Sequence, residues 1–391
     1  MLALPYQLSN IYPIMSVMPK KIVVLFDANP LVRQKTGVGY YTEGLITALA
    51  KIPGLELHGH FFAPRGPVPK LPSANSLSYS HNSWLTGQLV KALRKIRIRL
   101  PWELLARSRG DILFFPDFTS WPSLFGSPKV LTIHDLTYVD HPEYVRKRNL
   151  RYLSRYVAHD AKKAELVLTI SQFSKQRIIE EIKLPANKIL VEPVPPQPPL
   201  KPTKTYKLPE KFVLFMSTIE PRKNLLGLAE AYARLPENLQ NEYSLVVAGG
   251  EGWEADQTLA RIKELQVAGH KIELLGYVDE PLRATLYAKA SLVAVPSFYE
   301  GFGMPVLEAM NYGVAVTASD IPPLREIGGS DVVYFNPASV DSITSTLAKI
   351  LTDTNGRRKL AANGRERAKS FNWSKVAAEL HAELERLARN A

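Results

Sequence analysis

"KIVVLFDANPLVRQKTGVGYYTEGLITALAKI" (residues 21–52) begins with a run, 21–28, that is almost wholly apolar and rich in Val, Leu and Phe. Such a run reads as a strand buried on both faces. A polar turn with two glycines follows, and then "YYTEGLITALAKI" (40–52) reads as a helix. A buried strand, a glycine turn and a helix are the opening unit of a parallel sheet with helices on both faces.

The alternation continues outward from there. Residues 55–63, 111–116, 129–134 and 165–171 read as further strands, with a helix over 146–164. The stretch "VEPVPPQPPLKPTKTYKLPEK" (191–211) then contains seven prolines and no periodicity. Such composition marks a linker. Past it the pattern restarts with strands over 212–217, 243–250, 271–276, 290–297 and 313–319. The expected fold is therefore α/β: two doubly wound, Rossmann-like domains over 1–198 and 199–372, with a closing helix over 373–391.

The chain has 391 residues, enough for two cores, and a formal net charge of +12. That charge favours anionic partners. There is no cysteine, which excludes disulfides and Cys-ligated metals and fits a reducing cytoplasm. No run approaches the roughly 18 apolar residues of a membrane-spanning helix. The start, 1–21, reads as a loose extension rather than a signal peptide, with Met15 or Met18 as alternative starts.

In open parallel sheets, ligands bind beyond the carboxyl ends of the strands, so the residues after each strand matter most. Gly37 and Gly39 sit just before the first helix, where glycines let backbone amides approach a phosphate or sugar. An ordinary strand–helix turn would look the same. His134 and Asp135 follow a strand; the imidazole could donate to a sugar hydroxyl, sit near a leaving phosphate, or belong to a structural His–Asp pair. Arg222 and Lys223 follow Pro221 at an expected helix start. Cations gain nothing from the dipole there, so two together suggest a bound anion such as diphosphate, with a solvated basic turn as the plain alternative. In "SFYEGFGMPVLEAM" (297–310), Glu300 lies in a loop and Glu308 in the following helix, with Gly301, Gly303 and Pro305 between them. Two carboxylates flanking free amides can hold two sugars joined by a phosphate bridge. That describes a nucleotide sugar. Glu308 alone could equally be a helix acid placed by the dipole.

At these residues the chain resembles glycosyltransferase family 4, the retaining transferases of GT-B fold. Its E-x7-E motif stands as "EGFGMPVLE" (300–308), its basic motif as "STIEPRKN" (217–224) and its glycine loop as "TGVGYYTEGL" (36–45). "TIHDLTYVDHPEY" (132–144), "LTISQFSK" (168–175) and "FNWSKVAAEL" also follow the pattern. The resemblance implies that Glu300 contacts the donor hexose, together with the amides of Phe302, Gly303 and Met304. Glu308 would hold the ribose, Arg222 and Lys223 the diphosphate, and the backbone near Tyr277 and Val278 the base. Gly37 and Gly39 would line the diphosphate and acceptor side, and His134 would sit near the donor sugar. The final helix would cross back to the N-terminal domain. One departure is that "VEPVPPQPP" (191–199) replaces the family's glycine-rich N-G-V-D stretch at the hinge.

The expected reaction is transfer of a hexose with retention, by front-face attack, needing no metal and no cofactor beyond a nucleotide-sugar substrate. No D-x-D triplet occurs. GDP-mannose is the first-choice donor, ahead of UDP-hexoses and dTDP-rhamnose, and the acceptor is a glycan or lipid-linked glycan of surface-polysaccharide assembly. The basic, apolar stretch 85–109, with Trp102, suggests peripheral contact with the inner face of an anionic membrane, or simply a solvated helix. A glycosidase would also use paired carboxylates but needs no anion site. A nucleic-acid binder would account for the charge yet lacks a recognisable stacking motif or recognition helix. A transferase-like domain that binds nucleotide sugar without catalysis is the remaining rival.

Overall fold

The computed structural model describes residues 21–32, 36–63, 71–83, 85–200 and 206–391; the extension read over 1–21 lies outside them save for Lys21. The first sheet comprises β1 (Ile22–Asp27), β2 (Leu55–Phe62), β3 (Leu77–Asn82), β4 (Ile112–Phe115), β5 (Lys129–Thr132), β6 (Leu166–Thr169) and β7 (Ile189–Val191), in the order 3-2-1-4-5-6-7. The second comprises β8 (Phe212–Met216), β9 (Ser244–Ala248), β10 (Ile272–Leu274), β11 (Leu292–Val295), β12 (Val316–Ser319) and β13 (Val333–Phe335), in the order 10-9-8-11-12-13. Every pairing is parallel, with β1 between β2 and β4 and β8 between β9 and β11. Chain direction across each sheet therefore switches at β1/β4 and at β8/β11, where a crevice opens at the carboxyl ends.

Helices cover both faces. Those that position the site are α1 (Gly37–Leu49), α2 (Gly87–Lys95), α3 (Lys147–Lys163), α4 (Gln172–Ile182), α5 (Leu225–Ala233), α6 (Glu280–Lys289), α7 (Met304–Tyr312), α8 (Pro322–Gly328) and α9 (Trp373–Arg389). The strand alternation explains the continuous apolar runs. Val24 and Phe26 of β1 face one core while Leu25 faces another. In β8, Leu214 faces the inner core, and Val213 and Phe215 face a separate outer core in which they are buried. The inner core is shared, joining β1, β8, α7 and the apolar stripe Val376, Leu380, Leu384 and Leu387 of α9.

Asn372 caps α9, its side chain accepting from the Lys375 amide, and the helix returns to pack on α1 of the N-terminal half. The Trp373 indole fills the space over Gly44, where a Cβ would lie 2.2 Å from the ring.

Three expectations change. The first helix starts at Gly37 with Thr36 as N-cap, so Gly37 and Gly39 belong to its first turn rather than preceding it. Arg222 and Lys223 lie in a short 3-10 turn, Pro221–Lys223, and α5 begins only after Asn224, which caps the Gly227 amide with φ +53°. Their side chains therefore precede an α-helix N-terminus instead of occupying it. The stretch 85–109 is not one helix: it breaks into α2, an exposed loop and a short helix, Trp102–Ala106, whose Trp102 is fully buried.

Gly44→Leu is expected to lift Trp373 and α9 off α1 and to lower stability by about 1–3 kcal/mol, as overpacking does. A thermal melt should then fall by a few degrees; an unchanged melting temperature would mean that α9 does not close on α1.

Candidate active site

The loops after β8 and β11, neighbours at the switch of the second sheet, are tied by the Phe298 amide donating to the Arg222 carbonyl at 2.9 Å. This brings the two basic residues under the first acid. Lys223 Nζ donates to both Glu300 oxygens, at 2.7 and 2.9 Å, and Ser297 Oγ donates to Oε1 at 2.7 Å. Arg222 Nη1 reaches Glu300 Oε2 at 3.4 Å and the Tyr299 carbonyl at 3.0 Å, while its Nη2 donates to Glu220 at 2.8 Å. Two cations thus face two carboxylates, and the basic pair is engaged rather than waiting unpartnered for an anion.

Glu300, Lys223 and Ser297 are buried, and Arg222 and Glu220 partly so. Burial alone would raise the Glu300 carboxyl; Lys223 and Arg222 outweigh it and hold the acid below the usual carboxylate range. Burial and Arg222 push the Lys223 ammonium down, against Glu300 and Glu220. The two tendencies compete within one pair. The carboxylate decides the charge state, because it has two cations within reach and a hydroxyl donor besides.

Glu308, on α7, has its own clamp. Tyr287 OH donates to Oε2 at 2.7 Å and Arg283 Nη2 donates to Oε1. Burial raises the Tyr287 hydroxyl, so it remains a donor. The Arg283 guanidinium also lies 4.7 Å over the Tyr40 ring of α1, so the second acid is linked to the opposite half of the molecule.

The halves meet closely. The Gly301 carbonyl accepts from Ser171 Oγ at 2.7 Å and Ser174 Oγ at 3.3 Å, and a Cβ at Gly301 would come within 2.9 Å of the His134 carbonyl. Only glycine allows that approach. Gly303 has φ +117° and its missing Cβ leaves room for Leu324. It caps α7, whose first residue is Met304, with Pro305 second. Pro305 has no amide and the Val306 amide donates to the Gly303 carbonyl at 3.0 Å, so of the first three residues Met304 alone has an amide without an intrahelical partner. Across the seam, a Cβ on Gly37 would lie 3.6 Å from Met304 Sδ. Glu326 of α8 accepts from the Gln172 and Phe173 amides at the start of α4, and Tyr299 OH donates to Asp140 at 2.9 Å.

The structure therefore gathers Glu300, Arg222 and Lys223, sets Gly37 beside Met304, and brings the His134 backbone to the Gly301 loop. Phe302 is buried against Phe371. Glu308 opens onto a cavity of 760 Å³ bordered by Tyr40, Glu43 and Trp373, and Glu300 onto another of 560 Å³ bordered by His141, Phe173 and Tyr299. Tyr277 is 57 % exposed, and Tyr277 and Val278 line neither cavity. His134 does not offer the expected donor. Its Nε2–H is committed to the Pro116 carbonyl at 2.8 Å, and burial holds the ring below its ordinary pKa, so Nδ1 is left as an acceptor. At the end of β1, burial pushes the Asp27 carboxyl up to about 6, against two hydrogen bonds from Asn29. Among the described residues, no group of three or more His, Asp or Glu is arranged to hold a metal ion.

Sequence reading missed Ser297, Glu220, Arg283, Tyr287 and Tyr40. The "LTISQFSK" motif marked the segment that supplies Ser171 and Ser174 without showing what they grip.

Two facing doubly wound halves that close on a cation-bound acid at a switch point make this a GT-B protein. A sucrose-phosphate synthase from Thermosynechococcus elongatus has the same fold, with a TM-score of 0.73 at 18% identity, covering 95% of this chain and 100% of that one. A family model described as Glycosyltransferase Family 4 matches residues 35–193, and one described as glycosyl transferases group 1 matches 199–367. The chain is 31% identical to the O-antigen chain mannosyltransferase B of Escherichia coli over 90% of its length and 96% of that protein's. It is 28% identical to the MMP alpha-(1->4)-mannosyltransferase of Mycolicibacterium hassiacum, covering 88% of each. The chain belongs to glycosyltransferase family 4.

Lys223→Met leaves Glu300 buried with one distant cation. Breaking such a pair costs about 3–5 kcal/mol. Glu300 is depressed in the folded protein, so its contribution is present above the unfolded carboxyl pKa and fades as pH falls through the folded value. In Lys223→Met that acid limb should move to higher pH. Stability measured against pH checks it; an acid limb identical to wild type would show that Lys223 does not hold the carboxylate.

Proposed function

We propose that the protein transfers a mannose from GDP-mannose, with retention and without a metal, to a glycan or lipid-linked acceptor of surface-polysaccharide assembly, at the inner face of a membrane. The observation that carries this reading is the buried Glu300 carboxylate gripped by Lys223 and Arg222 at the switch point. The mannose reading is supported by the names of the two relatives above.

In this reading Glu300 accepts hydrogen bonds from the donor hexose, and Glu308, steadied by Tyr287 and Arg283, accepts them from the ribose. The incoming diphosphate competes with Glu300 and Glu220 for Lys223 and Arg222. As the bond between the sugar C1 and the phosphate oxygen breaks, its electron pair goes to the diphosphate, where both cations stabilise it most strongly in the transition state. The acceptor oxygen attacks the same face, and its proton passes to the departing diphosphate. The two cations thus do the work otherwise assigned to a metal. His134, a neutral ring with Nδ1 free to accept, suits a hydroxyl of donor or acceptor.

A thermal-shift panel with GDP, UDP, ADP and dTDP tests the donor class. The matching nucleotide, at about a hundred times its dissociation constant, should stabilise by roughly 2.7 kcal/mol; no response to any of the four would remove the reading. Turnover with GDP-mannose should survive EDTA, give the α-product by NMR, and fall on the order of a hundredfold in Glu300→Gln. A β-product or an EDTA-sensitive rate would refute retention or metal independence respectively.

Arg283→Gln should act on donor binding. Its expected mark is a KM for donor raised about tenfold with kcat nearly kept, since a lost contact to a charged group is worth about 1.5–3 kcal/mol. An equal fall in kcat and kcat/KM would place Arg283 in the chemical step.

A further inference from the structure

The basic stretch singled out in the sequence resolves into something more specific than an amphipathic helix. From the last residue of α2 onward, Lys95, Ile96, Arg97, Ile98 and Arg99 are all exposed, Ile96 to 67 % and Ile98 to 47 %. They alternate cation and isoleucine on a loop in which Arg97 has φ +68°. Beside this loop runs α3, which shows solvent a second row of cations at helical spacing: Arg148, Arg151, Arg155 and Lys162. Loop and helix meet where Arg99 Nη1 approaches His159 Nε2 at 3.4 Å. Between them lies a cavity of 340 Å³ lined by Arg94, Arg97, Arg99, Arg155, Tyr156 and His159.

The charges are not balanced locally. Residues 87–99 contain no acid, and 144–163 contain only Asp160. Asp160 is buried and taken by Arg94 at 2.5 Å and by the Ser120 amide at 2.9 Å. Among the described residues, Arg97, Arg99, Arg148 and Arg155 have no carboxylate partner. Three of them, Arg97, Arg99 and Arg155, border one cavity, and like charges so grouped favour an anion among them.

We infer that the 95–99 loop and the exposed face of α3 form a docking surface for an anionic phospholipid bilayer, with a headgroup phosphate entering the arginine-lined cavity. The apolar component selects this occupant over a soluble polyanion. Two isoleucines in water serve no purpose toward RNA or free phosphate, but they match the boundary between headgroups and acyl chains. Stacking of bases would need exposed aromatics on the patch, and both Trp102 and Tyr156 are buried. The surface also runs to the site. The α3 helix starts just after His141 and Tyr144, and His141 borders the cavity onto which Glu300 opens. A bilayer along α3 would present a lipid-linked acceptor at that opening. This last step rests on the transferase reading; the binding of lipid does not.

The test is co-sedimentation of the full chain with phosphatidylcholine vesicles, with and without phosphatidylglycerol. Wild type should bind only the anionic vesicles, more weakly as salt rises. Arg97→Gln/Arg99→Gln/Arg155→Gln should lower the partition coefficient on the order of a hundredfold, from the usual worth of surface cations near an anionic leaflet. Ile96→Ser/Ile98→Ser should weaken binding at high salt most. Both variants alter exposed residues, so their melting temperatures and nucleotide-induced shifts should match wild type, which separates this test from that of the transferase reading. Equal binding to neutral and anionic vesicles would overturn the inference, as would unchanged binding by the arginine variant. So would complete release by inorganic phosphate, or tighter binding to single-stranded RNA than to the anionic vesicles.

Discussion

A carboxylate with almost no contact with solvent is the constraint around which this structure is arranged. Isolated, Glu300 would cost several kcal/mol to bury. It is tolerable because β8 and β11 are neighbours, so that the turn after one delivers Lys223 and Arg222 to the loop after the other. Sheet order thus decides the charge state of the site. Chain segments separated by some 77 residues meet only because the chain runs outward through β9 and β10 on one side of β8 and then returns to place β11 on the other.

The same loop is held from the other side. Its Gly301 carbonyl is taken by two serines of the N-terminal half, and Glu326 returns the favour by capping α4. Arg283 adds a third tie through Tyr40. Two of these ties, through Gly301 beside Glu300 and through Arg283 on Glu308, involve a residue next to or bonded to one of the two acids. The surroundings of the two acids and the contacts between the halves therefore share residues, so a ligand that engages either acid would also work on the seam.

Much of this was legible in the sequence. Strands buried on both faces announce themselves as Val/Ile/Leu runs, and β1, β8, β9 and β11 are such runs. The elements that escaped are edge strands. In β3, "LSYSHN" is half exposed and polar, and β7 and β13 have three residues each; none has a periodicity to read. Glu300, Arg222 and Lys223 stood out because their chemistry is conspicuous beside glycine and proline. Their mutual pairing did not, since spacing along the chain says nothing of which strands adjoin. His134 illustrates the limit: the residue was visible, but the Pro116 carbonyl that fixes its proton was not. Arg283 looked like any exposed helix cation until α7 was set beside α6.

The return of α9 onto α1 has a consequence for how the protein is made. The first sheet is complete at Val191, but the helix that covers the apolar face of α1 does not begin until Trp373. At about 5–20 residues per second of synthesis, the interval is on the order of 10–40 s. During that time the N-terminal half stands outside the ribosome with the hollow over Gly44, and the side of Tyr41 that Trp373 covers, open. A nascent chain of this architecture is a ready client for chaperones, and a message broken late in its reading frame would yield a product that is nearly whole yet sticky.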